Sequence, residues 1–96
     1  MNFINPREAV QKEKIIGLEF VEREVLNSDT DTKKRKADLY RAMVLGNLYH
    51  VKTKIIFEAS DGIHKVETTV WATTDSFVSL KGGITIPIKC IHEVIT

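Results

Sequence analysis

The spacing of apolar residues along the chain changes near Gly46. Before that point apolar positions recur every three or four residues, and after it every two. Asn5-Pro6 reads as a helix start, with Asn as the cap and Pro at the first helical position, where its missing N–H costs nothing. Ile15, Leu18, Val21 and Val25 then keep the spacing of one helical face, with Ile16 and Phe20 alongside. The same stretch alternates at Ile16, Leu18 and Phe20, and Gly17 weakens a helix. Residues 14–25 therefore read as helix or as strand. NSDTDT at 27–32 is a polar break rich in cap residues. A second helix is predicted after it, capped by Asp31 or Thr32. Its apolar stripe is Ala37, Leu39, Tyr40, Met43 and Val44. Gly46-Asn47 closes it, because those residues tolerate the left-handed conformation that ends helices.

Beyond Gly46 the alternation is that of strands. Val51, Thr53, Ile55, Phe57 and Ala59 share one face, and His50, Lys52, Lys54 and Glu58 the other. Asp61-Gly62 signals a hairpin, since Gly accepts the positive φ such turns require. In the next run, 63–72, Val66, Thr68, Val70 and Ala72 share a face and Trp71 lies on the opposite one. TTDS turns the chain, FVSL is a short strand, and KGG turns it again. ITIPI alternates at Ile84, Ile86 and Ile88, and its Pro87 marks an edge strand or a bend. A last strand covers 91–95. The expected fold is α+β: an N-terminal helical segment over 1–47, then a small five-stranded, strongly bent antiparallel barrel of SH3-like type over 48–96. The expected barrel core is Val51, Ile55, Phe57, Val66, Val70, Leu80, Ile84, Ile86 and Ile91.

The order of these signals resembles the Sm-like fold. The parts are a helix, a strand ending at Asp61-Gly62, the stretch DSFVSL at 75–80 and a closing IHEV at 91–94. Over residues 36–95 the chain is most similar to the bacterial Hfq-type RNA chaperones. The resemblance implies RNA binding, and rings closed by pairing the fourth barrel strand of one subunit with the fifth of the next. Where that family carries a Tyr-Lys-His run lining a uridine pore, this chain has Pro87, Ile88 and Lys89. One cation is kept there and no aromatic. The glycine expected in the middle of the second barrel strand is absent from KVETTVWA.

Composition narrows the function. Ninety-six residues make one domain with a modest core, and 43% hydrophobic with 28% charged residues is an ordinary globular balance. A formal net charge of +1 gives no global attraction to nucleic acid, so any basic footprint has to be local. The strongest cluster is Lys33, Lys34, Arg35 and Lys36. Positive charge at a helix start opposes the macrodipole, so the run is misplaced for stability alone and points to a phosphate or an acidic partner. The alternative is a solvated helix face. Lys52, Lys54 and Lys65 extend the footprint across the first hairpin, where Glu58 and Glu67 also offer cross-strand pairing. Lys89 adds a cation before the last strand. Trp71 either stacks a base or anchors a partner, or it packs under the N-terminal helices.

Other motifs carry less. Cys90 and His92, with His64 or His50, supply too few ligands for zinc, and DTDT at 29–32 lacks the later Gly and Glu of a calcium loop, so no metal or cofactor is expected. No nucleophile has a recognisable orienting acid or oxyanion donor, so the chain is not expected to be an enzyme. One cysteine excludes an internal disulfide, and MNFINPREAV has no signal-peptide pattern, so a reducing cytoplasm is the expected location. No apolar run approaches the roughly 20 residues a membrane span needs. The expectation is a non-enzymatic binding module, associated with RNA or another nucleic acid through a local basic patch. The alternative is a protein-interaction or self-assembly module, a homo-oligomer (dimer or ring) or the binder of an acidic protein.

Overall fold

Period-two patterning gives strands from Thr53 onward. The structure, a computed structural model, describes residues 10–96, so the helix start predicted at Asn5-Pro6 lies outside the described residues. The strands are β1 (Thr53–Ala59), β2 (Gly62–Thr68), β3 (Val70–Thr73), β4 (Phe77–Leu80), β5 (Thr85–Pro87) and β6 (Ile91–Ile95). The hairpin signal holds: Ala59 lies opposite Gly62, whose φ is 132°.

The closed five-stranded barrel does not form. Among the described residues, six strands make two three-stranded antiparallel sheets, ordered β2–β1–β6 and β3–β4–β5. Two local causes account for the difference. First, the 63–72 run breaks at Thr69, whose carbonyl accepts the N–H of Lys81 at 2.9 Å. With no glycine to absorb a sharp bend, the run does not curve as one strand; β2 stays on β1 and β3 pairs with β4. Second, Pro87 has no N–H for a ladder, and a 3-10 turn (Ile88–Cys90) separates β5 from β6. The last two strands are therefore not hydrogen-bonded to each other. Pro87 does sit in an edge strand, as its chemistry requires.

Each sheet carries one bulge. Val70 pairs with Leu80 and Ala72 with Ser79, which leaves Trp71 as the extra residue. Ile56 pairs with Glu93 and Phe57 with Ile91, which leaves His92. Such bulges bend a strand and re-aim a side chain.

The helix predicted after the polar break, α1 (Asp29–Tyr49), is longer at both ends than its signals. Ser28 is extended and its Oγ accepts the N–H of Asp31 at 3.1 Å, so the cap is Ser28 rather than Asp31 or Thr32. His50, at φ 57°, ends the helix in the left-handed conformation and donates its N–H to the Gly46 carbonyl at 3.0 Å. Gly46 and Asn47 continue the helix. The stripe that faces the sheets is Arg35, Leu39, Ala42 and Gly46, which leaves the expected members Ala37 and Tyr40 in solvent. At Gly46 the helix backbone presses on β3: a Cβ there would lie 2.6 Å from the Val70 carbonyl oxygen.

The first predicted helix is absent over the described residues. Lys12–Gly17 is a short 3-10 turn that buries Ile15, and residues 18–26 run as an extended strap. Its backbone is tied at three points. The N–H of Val21 donates to Glu58 at 3.3 Å, that of Ser60 to Glu19 at 2.7 Å, and that of Val25 to Lys89 at 2.9 Å. The apolar residues that suggested a helix instead cover the end of the sheet: the Phe20 ring lies 5.9 Å from that of Phe57.

One core joins both sheets and α1. Ile55, Phe57, Val66, Val70, Leu80, Ile86 and Ile91 are fully buried and Ile84 nearly so, together with Ile15, Leu39 and Ala42. Val51 was expected among them but is 37% exposed, because β1 begins two residues later. Ala72, beyond the β3 bulge, is also exposed. Among the described residues no helix is long and apolar enough to cross a membrane.

Candidate functional site

The basic run occupies the second turn of α1, where successive side chains point about 100° apart. Four neighbours therefore cannot act as one patch. Arg35 points inward and is buried. Its Nη1 donates to Glu24 Oε2 at 2.7 Å and to the Ile91 carbonyl at 3.0 Å, and its Nη2 donates to Glu24 Oε1 at 2.5 Å. This fork ties the strap, α1 and β6 together, and the Arg35 guanidinium holds the Glu24 carboxyl below its usual range. Arg35 thus leaves the expected footprint, because burial keeps it from an outside ligand. Lys34 turns to the other flank and bonds Asp38 at 2.7 Å, one helical turn on.

Lys33 and Lys36 remain exposed and line an open cleft with Thr32, Thr74, Asp75 and Ile88. The neighbouring cleft, about 380 Å³, holds Ser76, Phe77, Pro87 and Lys89 and shares Arg35, Asp75 and Ile88 with the first. The two form one surface built from α1, the β3–β4 turn and the residues before β6. Asp75 approaches Lys36 at 3.5 Å, but both side chains are largely in solvent, so the pair holds neither firmly. Lys33 and Lys36 line one of these clefts and Lys89 the other, with Asp75 in both.

Phe77 supplies the aromatic that residues 87–89 lack. It lies opposite Pro87 in the β4–β5 pairing and is 49% exposed. Thr74 fixes it: the Thr74 Oγ1 accepts the N–H of Ser76 at 3.2 Å and of Phe77 at 3.0 Å. The Ile88 N–H donates to the Ser76 carbonyl at 2.9 Å, which locks the turn to the chain beside Lys89. These bonds hold the backbone at Phe77, whose exposed side chain lines the cleft that Lys89 also lines. Sequence reasoning passed over Phe77, although the alternation of FVSL signals it: Val78 and Leu80 are buried, so Phe77 faces out.

The remaining expected residues lie elsewhere. Lys54 sits opposite Glu67 and Ile95, and Lys65 opposite Ile56. Lys52 lines a separate cleft with Lys12, Glu13, Glu67 and Lys81. None of these lysines lines the Phe77 surface. Trp71, the bulged residue of an edge strand, is 48% exposed. Cys90 and His92 part company across the turn into β6. Cys90 is buried, its Sγ donating to the Pro87 carbonyl at 3.1 Å, and burial pushes its thiol up to about 11. His92 lies 2.8 Å from Glu58, whose other carboxylate oxygen accepts from Arg23. Among the described residues no three metal-ligating side chains come together.

No protein-family model, no curated protein and no solved structure matches the chain.

Proposed function

We propose that this chain is a non-enzymatic binding module for single-stranded nucleic acid, RNA in the first instance. Lys33, Lys36 and Lys89 take the phosphates and Phe77 stacks a base. What carries the reading is the convergence of three lysines and a half-exposed aromatic, its backbone held by Thr74, from three separate elements. Cations that track a backbone beside an aromatic face are the working parts of sequence-tolerant single-strand binding. A single buried cysteine, which has no disulfide partner in the chain, fits a reducing cytoplasm as the place of action.

The test is fluorescence anisotropy with a labelled single-stranded RNA across a salt series. Each phosphate contact on a single strand contributes a slope of about −0.7 in log affinity against log salt, so three lysines give a slope of about −2. Changing Lys33, Lys36 and Lys89 together to Gln flattens that slope. Phe77→Ala weakens binding by about 1–3 kcal/mol and leaves the slope as it was. Absence of binding at low salt, or an unchanged slope in the triple variant, would overturn the reading.

A further inference from the structure

The helix α1 is apolar on two opposite faces. Among the described residues the inner stripe of Arg35, Leu39, Ala42 and Gly46 packs on the sheets. Half a turn away, Ala37, Tyr40, Val44 and Leu48 recur at intervals of three and four residues, the spacing of a second helical face. Tyr40 is 61% exposed and Leu48 is 64% exposed. Val44, between them, is partly buried, and among the described residues the main contacts of α1 are with β3 and β6.

Its charges say what kind of partner it fits. Between Thr32 and His50 the chain carries one carboxylate, Asp38, which is turned from solvent and taken by Lys34 at 2.7 Å and Arg41 at 3.8 Å. Lys33, Lys36 and Arg41 border the outer stripe. Arg41 shares Asp38, Lys36 reaches Asp75 at 3.5 Å, and Asp29 lies one turn before Lys33; these pairs are loose and the cations stay in solvent, which leaves the face net positive. A second copy is a poor occupant. Two such helices laid parallel set Lys33 and Lys36 against their own counterparts, and laid antiparallel they set Arg41 near Arg41. A bilayer is also a poor occupant. Interfacial helices are apolar along their whole buried face, whereas here the cations lie toward the first turns and the large apolar groups toward the last. A ligand with apolar side chains at one end and carboxylates at the other complements both properties.

We propose that the outer face of α1 docks an acidic amphipathic helix of another protein, with Tyr40, Val44 and Leu48 as apolar anchors and Lys33, Lys36 and Arg41 as charge contacts. The mode is a helix-on-helix contact read through anchors at helical spacing, and an exposed Tyr at its centre is the residue type that dominates such interfaces. Tyr40 and Leu48 lie outside the Phe77 surface, whereas Lys33 and Lys36 are shared with it.

The probe is a fluorescein-labelled synthetic helix with Leu at helical spacing in one half and Glu in the other, beside a version with Lys in place of Glu. The Glu peptide binds the intact chain and the Lys peptide does not. Tyr40→Ser combined with Leu48→Ser weakens the Glu peptide by at least about tenfold and leaves single-stranded RNA binding unchanged. Arg41→Glu, a separate solvent-facing change, weakens the Glu peptide and gains affinity for the Lys peptide. Circular dichroism melting verifies that each variant keeps its fold. Four results would each refute the proposal. The two peptides bind equally, neither binds, or the double Ser variant binds as well as the native chain. Alternatively the stripe serves another occupant, seen as a dimer in sedimentation equilibrium that the double variant dissociates, or as pelleting with phosphatidylserine vesicles that it abolishes.

Discussion

Replacing Gly46 by Ala is expected to destabilise the protein, against the rule for helices. In a helix interior Ala is favoured over Gly by about 0.8–1.0 kcal/mol. At Gly46 the added methyl would lie 2.6 Å from the Val70 carbonyl oxygen and 2.9 Å from Thr69 Cγ2, both inside the 3.0 Å that side-chain carbons keep. Overpacking of this kind costs about 1–3 kcal/mol. The upper end applies, because the obstructing atom is a strand carbonyl. Its retreat would pull Val70 from its partner Leu80, so α1 has to lift off β3 instead. Less the propensity gain, the net loss is about 2 kcal/mol. Urea unfolding followed by far-ultraviolet circular dichroism measures it. With a slope of about 1–1.5 kcal/mol per molar urea for a chain this small, the midpoint falls by about 1.5 M. Gly17→Ala is the control, since a Cβ there meets nothing within 4 Å, and its change stays within about 0.5 kcal/mol. A Gly46→Ala midpoint equal to or above that of the native chain, with the control unchanged, would refute the close packing of α1 on β3.

Three further outcomes are expected. Phe57→Ala removes a fully buried ring that meets Phe20 and His64, and lowers stability by about 3–5 kcal/mol in the same assay; a loss under about 1 kcal/mol would contradict the burial of β1. Glu24 is held ionised by Arg35, so its folded value lies below the ordinary 4.5, and its contribution is complete above that value and fades as pH falls through the folded one. Glu24→Gln is therefore less stable than the native chain at neutral pH, with a gap that narrows in acid; a gap independent of pH would show that the pair contributes nothing through charge. The Cys90 thiol, raised to about 11, reacts with a thiol reagent at mildly alkaline pH about a hundredfold more slowly in the native chain than in urea, and equal rates would place it at the surface.

Much of this protein is written in short-range signals. The hairpin at Asp61-Gly62, the alternation that buries Ile55, Phe57, Val78 and Leu80, and the edge position of Pro87 follow from φ preferences, pleat geometry and a missing N–H. Each acts within a few residues, so each is legible in the sequence. The cations of the site were legible too, as Lys33, Lys36 and Lys89. Their grouping with Phe77 was not, because it depends on α1, the Thr74–Phe77 turn and the approach to β6 being brought side by side. Nor could the sequence tell that Arg35, in the middle of a run of cations, faces inward. Its partners are Glu24 in the strap and the carbonyl of Ile91, 56 residues away, and burying a charge is tolerable only where such partners wait. The break at Thr69 and the fate of residues 18–26 were decided in the same way. An apolar stretch that can be helix, strand or strap takes the form that covers the surface its neighbours leave open. That surface exists only once the two sheets and α1 have met.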